Sequence, residues 1–384
     1  MIIVDICVLL FFIISYYVLN KYSPTTLKYI TEDKKNQDPI LESVLVGNGL
    51  TQGTKEENDI IITNSKKLQK KDVNNKVIMS LSNDYRMIRK YRIWKSLVSK
   101  LGRNKALLIM PETYNLLDNN DYNMFQEISK YENNPKFMLK SERDGMNGVY
   151  ISNNDFSDLF RQVNNYNKFY NRNFSNAFIK KQELDNNRYT LAQRVIDNPY
   201  LINGRSFKIR TYLLILKNQG KIKGYLYRNG TIYYPRDKWN SSNIDIYNTI
   251  ASKEMMNYKR TPSEVNRVYH EYPKTIQALK KNISSSDKLF DNIVEISKLI
   301  CYVSNYNMGN LISSMNNESF ELFNLDFTVD ENLKPWLLKM NKAKKIENPS
   351  DTEYKIRYNC WNDVIRIINL VPYNEKNGFS LVWE

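Results

Sequence analysis

Residues 320–341 read "FELFNLDFTVDENLKPWLLKMN". Two apolar runs, "FELFNLDFTV" and "PWLLKMN", have the length and composition of strands and are separated by a polar turn. Asp326 and Asn341 fall near the ends of these runs, where a polar side chain is costly to bury without a task. An inner enzyme strand built from Trp336, Leu337 and Leu338 is expected to deliver an acidic residue beside Asn341. This one delivers Lys339.

Upstream, residues 193–214 read "QRVIDNPYLINGRSFKIRTYLL". The pattern is a strand, turns at Asn198-Pro199 and Asn203-Gly204, then the first of two long strands. Side chains alternate along a strand, so Ser206, Lys208 and Arg210 share one face while Phe207, Ile209 and Thr211 share the other. Arg228, on the next long strand, is expected to join the polar face. A solvated sheet surface presents the same pattern. "KFMLKSERDGMNGVYI" (136–151) reads as strand, glycine-containing turn and strand. Lys140 stands at the loop entrance, suited either to covering phosphates or to an ordinary hairpin. "RMIRKYRIWKSLVSKL" (86–101) has helical spacing, and "YNCWNDVIRIINLV" (358–371) reads as an amphipathic helix.

The chain has 384 residues, 42% of them hydrophobic, enough for a sizeable core. With 56 Lys and Arg against 41 Asp and Glu, its net charge is +15, which favours an acidic partner. The single histidine, His270, argues against histidine zinc sites and Ser-His-Asp chemistry. Cys7, Cys301 and Cys360 show no metal or redox spacing. Residues 2–19, "IIVDICVLLFFIISYYVL", are long and apolar enough for a transmembrane anchor. Lys21 and Lys28 follow it, which places the bulk of the chain in the cytosol by the positive-inside rule. Residues 20–40 read as a flexible tether.

The two long stretches resemble the tubulin–tyrosine ligase family, ATP-grasp enzymes that join an amino acid to a carboxylate of tubulin. "QRVIDNPYLINGRSFKIRTYLL" is similar to that family's Asn-Pro-Leu-Leu-Ile…Gly-Arg-Lys-Phe-Asp-Ile-Arg run. "FELFNLDFTVDENLKPWLLKMN" is similar to its Phe-Glu-Leu-Phe-Gly-x-Asp…Lys-Pro-Trp-Leu-Leu-Glu-Val-Asn run, and "YLYRNG" to its Tyr-Arg-x-Gly. The resemblance implies an α+β, ATP-grasp-like fold, which the single transmembrane helix read from residues 2–19 would precede. Its subdomains would be N-terminal (41–78), central (79–192) and C-terminal (193–347), followed by a helix or tail (348–384). It implies Lys90 and Lys140 on the nucleotide, with Lys140 at the phosphates, and adenine held by the backbone around Gln193, Arg194 and Val195. Arg210 and Arg228 would be the catalytic arginines facing the phosphates and an acyl-phosphate intermediate. Asp326 and Asn341 would ligate magnesium.

The departures fall on the same motifs. Lys339 stands where the family has its metal-ligating Glu, Lys208 where it has Asp, Ser206 where it has Lys, and Ser141 where it has Pro. An ammonium is no magnesium ligand. The two acid-to-lysine changes alter local charge by four, offset by one at Ser206. The expectation is thus a membrane-anchored pseudoenzyme with ATP as nucleotide and an incomplete magnesium site. Its basic groove would suit an acidic polypeptide such as the tubulin C-terminal tail; no specific nucleic acid is expected. The alternative is an active ATP-dependent amino-acid ligase in which Lys208 and Lys339 bind the nucleotide in place of a metal.

Overall fold

The computed structural model describes residues 27–31, 38–54, 57–62, 76–79, 90–133, 135–141, 148–152, 156–174, 188–218, 221–309, 318–343, 345–372 and 376–384. The strands are β1 (Lys28–Thr31), β2 (Thr51–Gln52), β3 (Ile60–Ile62), β4 (Val77–Met79), β5 (Thr113–Asn115), β6 (Phe137–Ser141) and β7 (Val149–Ile151). They continue with β8 (Tyr189–Arg194), β9 (Lys208–Asn218), β10 (Lys221–Tyr227), β11 (Thr231–Tyr233), β12 (Ser319–Val329), β13 (Pro335–Lys342) and β14 (Phe379–Trp383). Helices packed on them include α1 (Pro39–Gly47), α2 (Lys90–Leu101), α3 (Asn119–Tyr131), α4 (Phe156–Phe174), α5 (Ser286–Gly309) and α6 (Asp351–Ile367). The architecture is mixed α+β.

The strands form a ten-stranded and a four-stranded sheet. At the centre of the larger, β9 and β12 run antiparallel over ten paired positions, from Ser319 opposite Lys217 to Thr328 opposite Lys208. One end of this pair extends through β10 and β14 on one side and β4, β3, β1 and β2 on the other. At the other end β11 pairs with β9 and β13 with β12. The tight turn before β9 follows from its sequence: Asn203 and Gly204 both take positive φ, 47° and 82°, which asparagine and glycine tolerate best.

Both faces of the sheet are covered. Ile209, Leu213, Ile215, Phe323, Leu325, Leu337 and Met340 face a core completed by α2 and α5. Tyr212, Leu214, Leu216, Phe320 and Leu322 face the opposite way, against Ile356, Cys360, Trp361 and Val364 of α6. That helix starts at Ser350, whose hydroxyl and the Glu353 carboxylate cap each other's backbone N–H groups. The expected C-terminal helix is therefore present but begins several residues earlier. Arg357 and Trp361, both buried, donate to Asp38 Oδ2 at 3.0 Å and tie α6 to the start of α1.

In the smaller sheet the order is β5–β8–β6–β7. Phe137 and Leu139 pack one face against Phe125 of α3 and Phe156 of α4. Met138 and Lys140 alternate onto the other face.

The reading of a chain located in a membrane is corrected by the structure. Among the described residues no helix is long and apolar enough to cross a bilayer. Even the longest, α5, carries Asp287, Lys288, Asp291, Glu295 and Lys298, and such charges are costly at bilayer depth. Residues 2–19 and most of the tether lie outside the described residues, as does the glycine loop 142–147.

Candidate functional site

Pairing register brings the motif residues together. Asp326 of β12 lies opposite Arg210 of β9 on one side and Lys339 of β13 on the other. Paired side chains in neighbouring strands point the same way, so all three share the face that α6 covers farther along. Lys208 reaches the same point from two residues along β9. A β-bulge makes this register: Leu337 pairs with Phe327 and Lys339 with Asp326, leaving Leu338 as the extra residue. The bulge keeps Leu337 and Met340 in one core while turning Lys339 toward Asp326.

Asp326 is 1% exposed and surrounded by cations. Arg210 donates to both oxygens, Nε to Oδ1 at 2.7 Å and a terminal nitrogen to Oδ2 at 2.9 Å. Lys208 Nζ stands 3.4 Å from Oδ2 and Lys339 Nζ 3.8 Å from it. Burial alone would raise the Asp326 carboxyl; the Arg210 and Lys208 charges outweigh it and hold the group far below the carboxylate range. Burial pushes the Lys208 ammonium down to about 8, with Asp326 opposing and Arg210 adding to the shift.

Tyr233 of β11 closes the site beneath the two β9 cations. Its ring centroid lies 4.8 Å from Lys208 Nζ and 5.2 Å from the Arg210 guanidinium carbon. Its hydroxyl donates to Glu353 Oε1 at 2.8 Å. Glu353, in the first turn of α6, also accepts from the Ser350 N–H at 2.9 Å and has Lys253 Nζ at 3.6 Å. Burial raises the Glu353 carboxyl and these donors lower it, with a net downward shift. Asn341 pairs across the sheet with Asn324, whose Oδ1 is buried without a partner among the described residues.

Magnesium does not fit this arrangement. It requires oxygen ligands, yet both Asp326 oxygens accept from Arg210 and two ammonium groups flank one of them. Among the described residues no group of three or more His, Cys, Asp or Glu is placed to hold a metal.

Of the residues that the resemblance puts at a nucleotide, Lys140, Gln193 and Arg194 lie on the smaller sheet and Val195 directly follows it. Lys140 donates to Gln193 Oε1, and the buried Gln193 amide donates to Thr113 Oγ1 at 2.9 Å. Val195, Met138 and Ile244 form a buried apolar cluster with Val149, Ile151 and Trp239 packed against it. The Arg194 N–H donates to Glu112 O at 2.8 Å and the Val195 N–H to Lys136 O at 2.9 Å. The Arg194 guanidinium is bound to Glu112 and Glu132. Lys90 is the first residue of α2.

Arg228 does not join the Asp326 cluster. It follows the end of β10, is exposed, and donates to the carbonyls of Asn377 at 2.5 Å and Gly378 at 3.4 Å. The alternation that assigned it to the polar face ends with the strand at Tyr227. The residue packed against Lys208 and Arg210 from the neighbouring strand is Tyr233, and Glu353 supports it from a helix more than a hundred residues away. The signal that could have placed this helix start is the Ser-x-x-Glu spacing of Ser350 and Glu353, which the sequence analysis did not use; no local pattern marks its approach to Tyr233.

The profile described as "Tubulin-tyrosine ligase family" matches residues 66–378. A probable tubulin polyglutamylase of Mus musculus, TTLL9, is 26% identical over 223 residues, 53% of this chain and 44% of that protein. The probable tubulin polyglutamylase ttll-9 of Caenorhabditis elegans is 23% identical over 323 residues, covering 80% of this chain and 72% of its own length. The mouse tubulin monoglutamylase TTLL4 is 24% identical over 215 residues, 52% of this chain and 18% of its own. The chain thus spans less than half the length of several curated relatives it matches. With the profile running through both strand motifs and the Asp326 cluster, the chain belongs to the tubulin-tyrosine ligase family.

Proposed function

We propose that this protein engages an acidic polypeptide, the tubulin C-terminal tail, and has lost magnesium-dependent ligation while keeping the ATP-grasp-like fold. The observation that carries the reading is the saturation of Asp326 by Arg210, with Lys208 and Lys339 at the positions where the family resemblance puts acids. Family ligation activates a carboxylate as an acyl phosphate, and metal ions normally offset the developing phosphate charge. A cluster that repels a divalent ion removes that contribution. Relatives named as tubulin polyglutamylases and monoglutamylases support tubulin as the partner, and the net charge of +15 suits an acidic tail.

The test is incubation of the full chain with ATP, magnesium, labelled glutamate or tyrosine, and tubulin. No incorporation is expected, while co-sedimentation with microtubules is retained and weakens after the acidic tails are removed by protease. Robust incorporation overturns the reading. A second reading, ligation with lysines replacing the metal, is favoured by the same cation cluster and predicts incorporation that persists in EDTA.

A further inference from the structure

Three arginines outside the Asp326 cluster converge on one short stretch of backbone. Arg205 lies in the turn before β9, Arg236 follows β11, and Arg260 precedes the helix Pro262–Glu271. The buried Arg205 donates from Nη1 to the carbonyls of Pro235, at 3.1 Å, and of Arg236. Arg260 donates from Nη2 to the same Arg236 carbonyl at 2.7 Å. Two guanidiniums are thereby braced on the backbone of a third arginine, and groups fixed in advance cost a ligand less to order.

Their charge is incompletely balanced. Asp237 accepts from Arg236 Nε at 3.1 Å and Nη2 at 2.8 Å, and stands 3.7 Å from Arg260. Among the described residues it is the one carboxylate paired with these arginines. The next acids serve helix caps: Asp245 accepts from the N–H groups of Tyr247 and Asn248 at 2.8 and 3.0 Å, and Glu264 from the Thr261 N–H at 2.7 Å. Burial pushes the Arg260 guanidinium down from its ordinary value, and Arg205 adds to the shift while Asp237 opposes it. Both outer arginines still reach solvent, with side-chain exposures of 23% for Arg236 and 19% for Arg260.

The chemistry of the cluster selects carboxylates. Arg236 already holds one by two parallel N–H···O bonds, the fork geometry that arginine offers to such groups. Its guanidinium carbon lies 4.1 Å over the Tyr247 ring, and Tyr247 stacks on Tyr258 with centroids 5.9 Å apart. Lys259 Nζ ends the stack, 5.4 Å from the Tyr258 centroid. The two rings are engaged by each other and by cations, so they offer no platform for the bases of a single-stranded nucleic acid.

We propose that Arg236 and Arg260, braced by Arg205, form a docking point for the side-chain carboxylates of an acidic polypeptide, with Asp237 as the internal carboxylate that a ligand carboxylate displaces. The inference rests on the proposed acidic partner, but not on whether ligation is lost.

Fluorescence anisotropy of a labelled oligoglutamate peptide with the full chain tests it, beside co-sedimentation with microtubules whose acidic tails are intact or removed. Arg236→Gln and Arg260→Gln, checked for folding by thermal melting, are each expected to weaken peptide binding by about tenfold or more, the scale of a lost charged hydrogen bond. Asp237→Asn is expected to tighten binding several-fold, because it removes the competing carboxylate. Structural damage would not produce that gain, so this variant decides the matter even where an arginine variant fails to fold. Arginine variants that fold and bind the peptide like wild type would overturn the docking point, as would weakened binding in Asp237→Asn. Single-stranded DNA or phosphatidylserine vesicles that bind more tightly than the peptide, and are lost in the same variants, would overturn the assignment to carboxylates. Tail-dependent microtubule binding that the arginine variants leave unchanged would sink this inference and leave the proposed function standing. Arginine-dependent peptide binding without tail-dependent microtubule binding would do the opposite.

Discussion

Replacing Asp326 by asparagine separates a structural carboxylate from a metal ligand. The bidentate pair with Arg210 has bonds of 2.7 and 2.9 Å. Asparagine keeps one acceptor but aims an amide donor at the guanidinium, leaving three cations without a compensating charge. Breaking a buried pair from one side costs about 3–5 kcal/mol, and the residual exposure of Arg210 and Lys208 puts this case near 3. At roughly 2 °C per kcal/mol for a domain of this size, the melting temperature falls by about 6 °C. Calorimetric or circular-dichroism melts at neutral pH read the loss. In a Lys208→Met, Lys339→Met background the same change should cost less, because fewer charges are stranded. The gap between wild type and Asp326→Asn should hold from neutral pH to about 4, the ordinary carboxylate range. Below that it narrows, since the unfolded chain takes up a proton that the folded carboxyl, held far lower, refuses. An unchanged or raised melting temperature would refute the reasoning, being the behaviour of a strained ligand carboxylate retained for chemistry.

Other consequences follow from the same packing. Charging Lys208 costs folded-state stability, because its ammonium is pushed down to about 8 from 10.5. Relative to Lys208→Met, wild type should therefore gain stability as pH rises between those values, by at most about 1.4 kcal/mol per pH unit in denaturant titrations. Tyr233→Phe removes a donor from the buried Glu353 and should cost about 1–2 kcal/mol, with a smaller cost when Glu353→Gln is already present. Arg357→Met leaves Asp38 buried with only the Trp361 indole donating to that oxygen. It should cost about 3–5 kcal/mol and speed hydrogen exchange in α1. A Cβ at Gly230 would lie 2.1 Å from Arg210 O, so Gly230→Ala should push β11 from β9 and lower the melting temperature by several degrees.

What was legible in the sequence was the part governed by local period. Alternation along β9 put Lys208 and Arg210 on one face, and the Asn203-Gly204 pair marked the turn before it. Arg228 was misplaced because period-two reasoning was extended one residue beyond the end of β10, where the chain turns toward Asn377 and Gly378. Lys339 was read as standing in a metal site, which motif position can suggest. That it contacts Asp326 depends on the extra residue at Leu338, and a bulge has no sequence mark in a run of apolar residues. Tyr233 and Glu353 meet only through tertiary packing between a strand and the first turn of a distant helix. The membrane location rested on the hydropathy of residues 2–19 and the lysines after them, and the described helices do not support it.

The sharing of one carboxylate among cations from two flanking strands makes the site hard to reverse by single steps. Changing Lys339 to Glu alone would give two acids facing Arg210 and Lys208, a neutral and self-satisfied quartet with no call for a divalent ion. Changing Lys208 to Asp alone gives the same balance. Only both together leave a net charge of minus two. If the magnesium site was lost as proposed, each single change leaves a neutral cluster, and selection for metal-dependent chemistry has no first step to act on. On that reading the geometry around Asp326 acts as a ratchet, admitting drift away from metal dependence far more readily than return to it.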